Sequence, residues 1–345
     1  MSIIEKYSYQ LNEFGKSIES ASKIIIVPHY NPDGDAIGSA LGLYIVLKNY
    51  GKDVGIVSPT LYPDFLKWLP DNNKIRVLGK KTQSDPTIFD GADLLIGVDF
   101  NALNRINNIK DRFKASGAKK ILIDHHPDPE DFTDILFSDT SYSSTAEIVY
   151  EIIEATFLNK YFDLNSATCL YAGIMTDTGS LSYASSNPNT YRVVAELLKK
   201  GVDKDRVFDK VYNSFSIDRM RFMGHIMLNR MVVFPDLKTA YIYITAKDRK
   251  DFNEKFGDTE NFVNIPLSIK GIIFSAIFIE RDNFVKISFR SKGSFDVNKF
   301  SSAHFLGGGH INAAGGESHS SLQETTNKFV NILQTYSEEL KNYEY

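Results

Sequence analysis

Four short stretches of the sequence carry acidic and imidazole side chains at spacings that could do chemistry. They are HYNPDGD, which begins at His29, GVDF with Asp99, IDHHP with His125 and His126, and MTDTGS with Asp177. Carboxylates with a minority of histidines favour Mn²⁺, Mg²⁺ or Co²⁺, and a single cysteine excludes a cysteine-based zinc site. Because there are more candidate ligands than one tetrahedral site can use, we expect two divalent cations, the arrangement used for attack of water on phosphorus.

Each stretch also has a simpler interpretation. Asp33 and the glycine after it can form a turn, and Asp35 can cap the helix that follows. Asp99 and Asp177 can be turn or cap residues, and two adjacent histidines can be a hydrogen-bonded pair in the core. The joint interpretation is stronger, because burying several carboxylates at one place without a countercharge costs several kcal/mol for each of them.

The four stretches follow apolar runs that indicate buried strands. These runs are KIIIVP, DLLIGV, KKILI and the longer NSATCLYAGI, and helical patterns such as AIGSALGLYIVLKNYG and STAEIVYEIIEATF alternate with them. Such alternation predicts βαβ units and a mainly parallel sheet with helices on both faces. Ligands of these sheets bind beyond the carboxyl ends of the strands. We therefore expect four strand ends to bring the four stretches to one edge.

The second half of the chain has a different pattern. Charged helical segments lead to the strands TAYIYIT, IIFSAIFIE and FVKISFRS, of which the last two flank the hairpin signal RDN. The glycine-rich FLGGGHINAAGG comes next, and we expect it to lead directly into a helix. The predicted organisation is an α/β domain with a parallel sheet at 1–213, a helical linker at 214–236 and a smaller α/β domain with a mixed sheet at 237–345.

Composition limits the partners and the location. The chain of 345 residues is 43% hydrophobic and 24% charged, with a formal net charge of −4. This balance argues against a broad surface for long nucleic acids, which is normally basic. We find neither a signal peptide nor a membrane-spanning run, and the single Cys169 fits a reducing compartment. We expect a cytoplasmic protein with no membrane partner, and a homodimer is compatible with the sequence.

In their order along the chain, the four stretches resemble the motifs of the DHH phosphoesterase superfamily. The distal SFRSKGSFDVNKFSSAHFLGGGHINAAGG resembles the DHH-associated C-terminal domain of that superfamily, so the resemblance covers nearly the whole chain. It implies a Mn²⁺-dependent phosphoesterase of the nanoRNase and pAp-phosphatase type, with Mg²⁺ or Co²⁺ as alternative ions. Its substrates would be dinucleotides such as pApA and pGpG, other short RNA, and 3′-phosphoadenosine 5′-phosphate (pAp).

The resemblance also implies which residues bind the ions. It assigns one ion to His29, Asp33 and Asp99, and the other to Asp35, Asp99, His125 and Asp177, with Asp99 as the bridge.

Other residues of this half would act on the substrate or on the ligands. His126 would donate to the scissile phosphate, and Asp124 would orient the histidines. Asn31 could position a phosphate or stabilise its own turn, and the two interpretations are equally open. After TDTG, many members of the superfamily have an arginine or aromatic pattern where this chain has Ser182 and Tyr183, so a phosphate contact there is not transferred.

The second domain would hold the substrate. The residues implied are Arg290, Ser291, Gly307, Gly308, Gly309 and His310. Glycines allow backbone N–H groups to approach an anion closely, although a lone glycine run is more often a flexible loop. Arg290 could instead be an exposed strand residue that pairs with Asp296.

Two other functions are weighed against this one. A cyclic-di-AMP phosphodiesterase shares the same layout of two domains and is the nearest alternative. A nucleotide sensor without turnover is the alternative from another class. Such a sensor is expected to have lost metal ligands, whereas all the expected ligand positions are present here.

Overall fold

The computed structural model describes residues 3–78, 87–183, 185–255 and 257–343. The chain divides into two compact units, Met1–Ser214 and Phe215–Tyr345. Within the described ranges, each unit is built around a six-stranded sheet. A helix long and apolar enough to cross a membrane is absent from these ranges.

The first unit alternates strands and helices, as predicted. Its strands are β1 Lys23–Pro28, β2 Asp53–Ser58, β3 Ile75–Val77, β4 Leu94–Val98, β5 Lys119–Asp124 and β6 Ile135–Ser138. Its α-helices are α1 Ile3–Ser20, α2 Gly34–Asn49, α3 Lys110–Ala115, α4 Thr145–Glu154, α5 Leu164–Asp177, α6 Pro188–Lys199 and α7 Lys204–Tyr212.

The predicted parallel sheet is confirmed, and its strand order explains where a site can form. All neighbours are parallel in the order β3-β2-β1-β4-β5-β6. The order therefore reverses between β1 and β4, where Ile24 pairs with Leu94. In doubly wound sheets, ligands bind beyond the carboxyl ends of the strands at this switch point. His29 directly follows β1 and Asp99 directly follows β4, so both lie at the switch point.

The central strands β1 and β4 are buried on both faces, to which alternate side chains point. In β1, Ile24 and Ile26 join the core formed with helices α1, α2, α4 and α5. Ile25 and Val27 join a second core on the other face, which includes Phe113 of α3. The prediction of helices on both faces is therefore confirmed. This double burial also explains why the strands read as continuous apolar runs.

Close packing of α2 against α5 brings two of the four stretches together. A Cβ atom at Gly38 of α2 would lie 2.6 Å from the carbonyl oxygen of Cys169, and one at Gly173 of α5 would lie 3.2 Å from Asp35 Oδ1. The distance at Gly38 is shorter than real Cβ contacts become, so only glycine permits this approach of α2 to α5. At Gly173 a Cβ atom would also lie 2.8 Å from the Cβ atom of Ala146, which again excludes a side chain. The contact places Asp35, at the start of α2, close to the end of α5, where Asp177 lies.

The second unit contains the predicted mixed sheet, in the order β11-β12-β10-β9-β8-β7. Only β8 and β9 are parallel within it, and the other neighbours are antiparallel. Its strands are β7 Met231–Phe234, β8 Thr239–Ile244, β9 Phe274–Glu280, β10 Val285–Ser291, β11 Gly308–His310 and β12 Ala313–Ser318. Its α-helices are α8 Ile217–Asn229, α9 Ala246–Asp251, α10 Val297–His304, α11 Leu322–Thr335 and α12 Ser337–Lys341.

Residues 214–236, proposed as a linker from the sequence, include α8 and β7. Phe222 and Ile226 of α8 are fully buried against Ile242 and Ile244 of β8. β7 pairs with β8 through the whole of its length. These residues are therefore part of the packing of the second unit.

The structure corrects the placement of the glycine run. It does not lead directly into a helix, because Gly308–His310 forms β11 and turns into β12, and the next helix begins only at Leu322. The glycines allow close strand packing. A Cβ atom at Gly307 would lie 1.9 Å from the carbonyl oxygen of Gly315, and one at Gly309 would lie 2.4 Å from that of Ala313.

Candidate functional site

His29 lies in the turn between β1 and α2. The turn is held by Tyr30 N, which donates to the carbonyl oxygen of Arg105 at 2.7 Å, and by Asn31 N, which donates to Thr60 Oγ1 at 2.7 Å. Asn31 is exposed and has a left-handed φ of 55°, which asparagine tolerates better than most residues. The backbone of Asn31 thus helps to hold the turn, and a role of its side chain in the turn or at a phosphate stays a prediction.

One nitrogen of the His29 imidazole is hydrogen-bonded to the backbone, and the other faces two carboxylates. Nδ1 lies 2.9 Å from the carbonyl oxygen of Tyr30, which can only accept, so Nδ1 carries the hydrogen. Nε2 is buried and has no hydrogen-bond partner among the residues that the structure describes. It lies 3.8 Å from Asp33 Oδ1 and 3.5 Å from Asp99 Oδ2. In the neutral ring this nitrogen offers a lone pair, which is how a metal-binding histidine is presented.

Asp33 and Asp35 follow at the start of α2 and have different surroundings. Asp33 is the N-cap residue, and its Oδ1 accepts from the backbone N–H groups of Asp35 and Ala36 at 3.1 Å each. The sequence had suggested capping by Asp35 instead. Asp35 is almost fully buried, and its carboxylate accepts from Thr145 N at 2.7 Å and from Ala146 N at 2.9 Å. It therefore faces the N-terminus of α4.

Asp99 is the central residue of the site. It is buried at the end of β4 with a left-handed φ of 65°, a backbone conformation that is unusual for any residue with a side chain. Its Oδ2 lies 3.5 Å from His29 Nε2, whereas its Oδ1 lies 3.7 Å from His125 Nε2. The two oxygens of one carboxylate thus face two different histidines.

His125 is the centre of a second group. Its Nε2 lies 3.5 Å from Asp177 Oδ2 and 3.9 Å from Asp35 Oδ2, in addition to its contact with Asp99. The prediction that Asp177 follows a strand is wrong, because it is the last residue of helix α5. Three of the four stretches lie at strand ends, and the fourth reaches the same edge through the packing of α5 on α2.

Asp124 and His126 form a pair beside these groups. Asp124 Oδ1 lies 2.7 Å from His126 Nδ1, and Oδ2 accepts from the backbone N–H of His126 at 3.1 Å. Asp124 is fully buried and the His126 side chain is 15% exposed. The carboxylate therefore fixes the orientation of the ring and leaves Nε2 as the nitrogen that it does not hold.

The carboxylates lie so close together that they shift the pKa values of the histidine and aspartate side chains in this cluster. Burial acts to lower the pKa of His29, but Asp33 and Asp99 outweigh it and raise this pKa to about 9. Burial raises the pKa of Asp177 to about 6, with His125 opposing the shift and Asp33 and Asp99 adding to it. Burial and the charge of Asp99 also raise the pKa of Asp35 well above its usual range. The raised pKa values of His29, Asp35 and Asp177 show that the cluster has an excess of negative charge, which protons or cations would neutralise.

The residues fit divalent cations. Ligand atoms of His29, Asp33 and Asp99 lie within 4.8 Å of one another, as do those of Asp35, His125 and Asp177. Nitrogen-to-oxygen distances of 3.5 to 3.9 Å are too long for hydrogen bonds. They suit pairs of ligands that each lie about 2.1 Å from a shared ion. The orphaned Nε2 of His29 is the most direct sign of this fit.

The residues predicted to bind substrate in the second unit do not all share one face. Along β10, Lys286, Ser288 and Arg290 alternate with buried residues, and Ser291 belongs to the buried set. Ser291 Oγ donates to the carbonyl oxygen of Phe295 at 2.6 Å and accepts from Asn312 Nδ2 at 2.9 Å. Its hydroxyl therefore stabilises the turn after β10, on the face opposite to Arg290.

The remaining predicted residues of the second unit lie on β11 or just before it. The backbone N–H of Gly309 donates to Asn298 Oδ1 at 2.8 Å, so this donor is already used within the fold. His310 pairs with Ala313 at the turn of the hairpin and is partly exposed. Arg290 pairs with Ala313 on the other side of β12, which places Arg290 and His310 near the same end of the sheet.

Sequence reasoning missed Thr145. Its hydroxyl donates to Asp99 Oδ1 at 2.9 Å, and its backbone N–H donates to Asp35. The signal in the sequence is SSTAE, in which Ser144 caps α4 and accepts from Glu147 N at 3.2 Å. That signal predicts the start of a helix, but it does not show which carboxylates the helix start will meet.

Comparisons with known proteins agree with this architecture. A family model described as the DHH family, N-terminal domain, matches residues 23–174, and one described as the DHHA1 domain matches residues 236–342. The chain is 32% identical over 294 residues to the bifunctional oligoribonuclease and PAP phosphatase NrnA of Thermus thermophilus, covering 85% of this chain and 83% of that one. It is 29% identical over 313 residues to the Bacillus subtilis protein of the same name, covering 89% and 93%.

A solved structure is also similar over almost the entire chain. It is an exopolyphosphatase-related protein from Bacteroides fragilis, with a TM-score of 0.91 and 42% sequence identity. The match covers 97% of this chain and 98% of that one.

Proposed function

Because this chain belongs to the DHH family of phosphoesterases, we propose that it hydrolyses short oligoribonucleotides, such as pApA and pGpG, to mononucleotides. We include the conversion of pAp to AMP, since relatives that match most of the chain carry both activities in their names. The observation that carries the proposal is the position of Asp99. Its two oxygens face His29 and His125 separately, which divides the acidic cluster into two groups that share one carboxylate.

We assign the two groups to two divalent cations and propose Mn²⁺. His29, Asp33 and Asp99 would hold one ion, and the other would be held by Asp35, Asp99, His125 and Asp177. The mixture of imidazole and carboxylate ligands suits Mn²⁺ better than Ca²⁺, which takes oxygen ligands almost exclusively. When bound, such ions neutralise phosphate oxygens and lower the pKa of water enough to supply a nucleophile at neutral pH.

The protein itself supplies orientation and a donor. Asp124 orients His126 through Nδ1, and we assign the contact with the substrate to the other ring nitrogen, Nε2. We propose that His126 donates a hydrogen bond from Nε2 to a phosphate oxygen, where negative charge increases in the transition state. A ring already fixed by a buried carboxylate needs little reorganisation when the substrate binds.

We assign the catalytic role to residues 1–213 and the substrate-binding role to residues 237–345. Residues 214–236, which pack as part of the second unit, would connect the two. Within the second part, Arg290 and His310 are the side chains proposed to bind phosphate or nucleotide, with the glycine run Gly307, Gly308 and Gly309 beside them. The formal net charge of −4 supports short substrates over long nucleic acids. We place the activity in the cytoplasm, since the single cysteine, Cys169, fits a reducing compartment.

Arg290→Ala is expected to raise KM for pApA by about tenfold, because it removes a charge-assisted contact to phosphate. The effect on a small chromogenic phosphodiester, which lacks the second nucleotide, is expected to be much smaller. Steady-state kinetics on both substrates measure the difference. Lys286→Ala is the matched control, since it removes an exposed cation from the same face of β10. Equal changes on the two substrates would remove Arg290 from substrate binding.

The proposed function is tested by incubating the purified protein with Mn²⁺ and a panel of substrates. The panel contains pApA, pGpG, pAp, cyclic di-AMP, a long single-stranded RNA and polyphosphate, and chromatography follows the products over time. We expect rapid release of mononucleotides from the two dinucleotides. Faster hydrolysis of cyclic di-AMP would favour the phosphodiesterase alternative, and tight binding without any hydrolysis would favour a sensor.

A further inference from the structure

We propose that Thr145 is a positioning residue for the cation site and that it orients one carboxylate from each of the two ligand groups. Its hydroxyl would fix Asp99, the carboxylate that the groups share, and its backbone N–H would fix Asp35. This inference rests on the proposed metal centre. It assigns a function to the first residue of α4, which contributes no ligand atom itself.

The contacts are short and lie in the interior. Thr145 Oγ1 donates to Asp99 Oδ1 at 2.9 Å, and Thr145 N donates to Asp35 Oδ2 at 2.7 Å. Ala146 N completes the set by donating to Asp35 Oδ1 at 2.9 Å. Thr145 and Ala146 are fully buried. Bonds of this kind to a carboxylate are stronger than those between neutral groups, and bulk water does not replace them here.

Asp99 is held by contacts of both its backbone and its side chain. Its backbone has a left-handed φ of 65° immediately after β4, a conformation that aspartate and asparagine adopt more often than other residues with side chains. The backbone N–H of Asp99 is fixed by the carbonyl oxygen of Ile123 at 3.0 Å. The Thr145 hydroxyl is the corresponding constraint on the carboxylate. Together they determine which oxygen faces His29 and which faces His125.

The start of α4 is itself held in place by several buried hydrogen bonds. Glu147, in the first turn of the helix, is fully buried, and its Oε2 accepts from Ser143 N at 3.0 Å, Ser143 Oγ at 2.7 Å and Thr190 Oγ1 at 2.9 Å. Ser144 caps the same turn. The loop before α4 and the start of α6 are thus joined through Glu147. Thr145 is held in the middle of this network.

The residue type matters because only the hydroxyl reaches Asp99. Valine has nearly the shape of threonine and preserves the backbone bond to Asp35, so Thr145→Val removes a single donor. Serine keeps the hydroxyl and loses a methyl group, whereas alanine loses both. A comparison of Thr145→Ser with Thr145→Ala therefore isolates the hydroxyl even if the valine variant folds poorly.

The test measures Mn²⁺ binding directly by calorimetric titration of the metal-stripped full-length protein. Electron paramagnetic resonance of the bound Mn²⁺ reports whether the two ions are coupled. We expect Thr145→Val and Thr145→Ala to weaken Mn²⁺ binding by about 10- to 100-fold, the usual effect of losing a partner of a metal ligand. The Mn²⁺ affinity of Thr145→Ser should stay within about threefold of that of the wild type. A much weaker affinity in this variant would show that the methyl group, and not the hydroxyl, is required.

Thr156→Val is the matched control. Thr156 lies just beyond the other end of α4, and its hydroxyl donates to the carbonyl oxygen of Ile152 at 2.8 Å, away from both carboxylates. It should leave Mn²⁺ binding and the coupled signal unchanged. Equal Mn²⁺ affinity in the wild type, Thr145→Val and Thr145→Ala would overturn this inference and leave the proposed function intact. A wild-type protein that binds no Mn²⁺, Mg²⁺ or Co²⁺ would overturn both.

Discussion

Asp99→Asn is expected to lower kcat on dinucleotides by on the order of 10³-fold, equivalent to about 4 kcal/mol of transition-state stabilisation. Asp99 is the residue whose two carboxylate oxygens face two different histidines, at 3.5 and 3.7 Å. An amide has the same shape but carries no charge, and its nitrogen cannot act as a ligand. One group should therefore lose a ligand, and the other should keep only a neutral carbonyl oxygen in place of the shared carboxylate.

Asparagine is a better substitution than alanine for this test. Asp99 has a left-handed backbone, which asparagine adopts readily and alanine does not. Asp93→Asn is a matched control, because Asp93 lies just before the other end of β4, where its exposed carboxylate accepts from Ser22 N at 2.8 Å and Lys23 N at 3.0 Å. It should retain nearly full activity. An Asp99→Asn enzyme with a normal kcat would refute the shared-carboxylate mechanism.

The positions of His29, Asp99 and His125 could be predicted because they depend on a general property of parallel sheets. Each follows a short apolar run, and the carboxyl ends of neighbouring parallel strands lie at one edge. The strand order, with β1 beside β4, was not predicted from the sequence. It is the order that places His29 and Asp99 on adjacent strands at the switch point.

The position of Asp177 shows where the apolar pattern becomes ambiguous. The part of NSATCLYAGIM that directly precedes Thr176, CLYAGIM, is an unbroken apolar run, and periodicity cannot separate a buried helix from a buried strand in such a run. Its small residues have a reason that only the tertiary structure shows. Gly173 allows α5 to approach Asp35, and Gly38 of α2 allows the approach to Cys169. The contact that completes the cluster is thus between two helices far apart in sequence.

In the second unit, the alternation of apolar and polar residues along β10 could have shown which side chains face solvent, but it was not used for Ser291. In FVKISFRS the residues alternate, so Ser291 shares a face with Val285, Ile287 and Phe289, which are buried. The alternation alone predicts that Ser291 and Arg290 point to opposite faces. The role of the glycine run in close strand packing could not be predicted from the sequence. It depends on how closely β11 approaches β12, which a local pattern does not contain.

Removal of divalent cations with EDTA is expected to reduce activity by at least about 100-fold, with recovery on addition of Mn²⁺. The melting temperature should fall as well, because a ligand that binds only the folded state stabilises it by about 2.7 kcal/mol at one hundred times its Kd. Differential scanning calorimetry with and without Mn²⁺ measures this change in melting temperature. The shift should be smaller in Asp99→Asn, which retains the fold but loses the shared ligand.

Protons should compete with cations in the stripped protein. Asp33 and Asp99 outweigh burial and raise the pKa of His29 to about 9, so at pH 7 its imidazole carries a proton that must leave before Nε2 can bind an ion. Mn²⁺ affinity should therefore rise as the pH increases from 7 towards 9, by up to about tenfold per unit for one displaced proton. Titrations in buffers of different ionisation enthalpy count the protons released. Persistent full activity in EDTA, or Mn²⁺ binding that is independent of pH over this range, would contradict the assignment of His29 as a ligand.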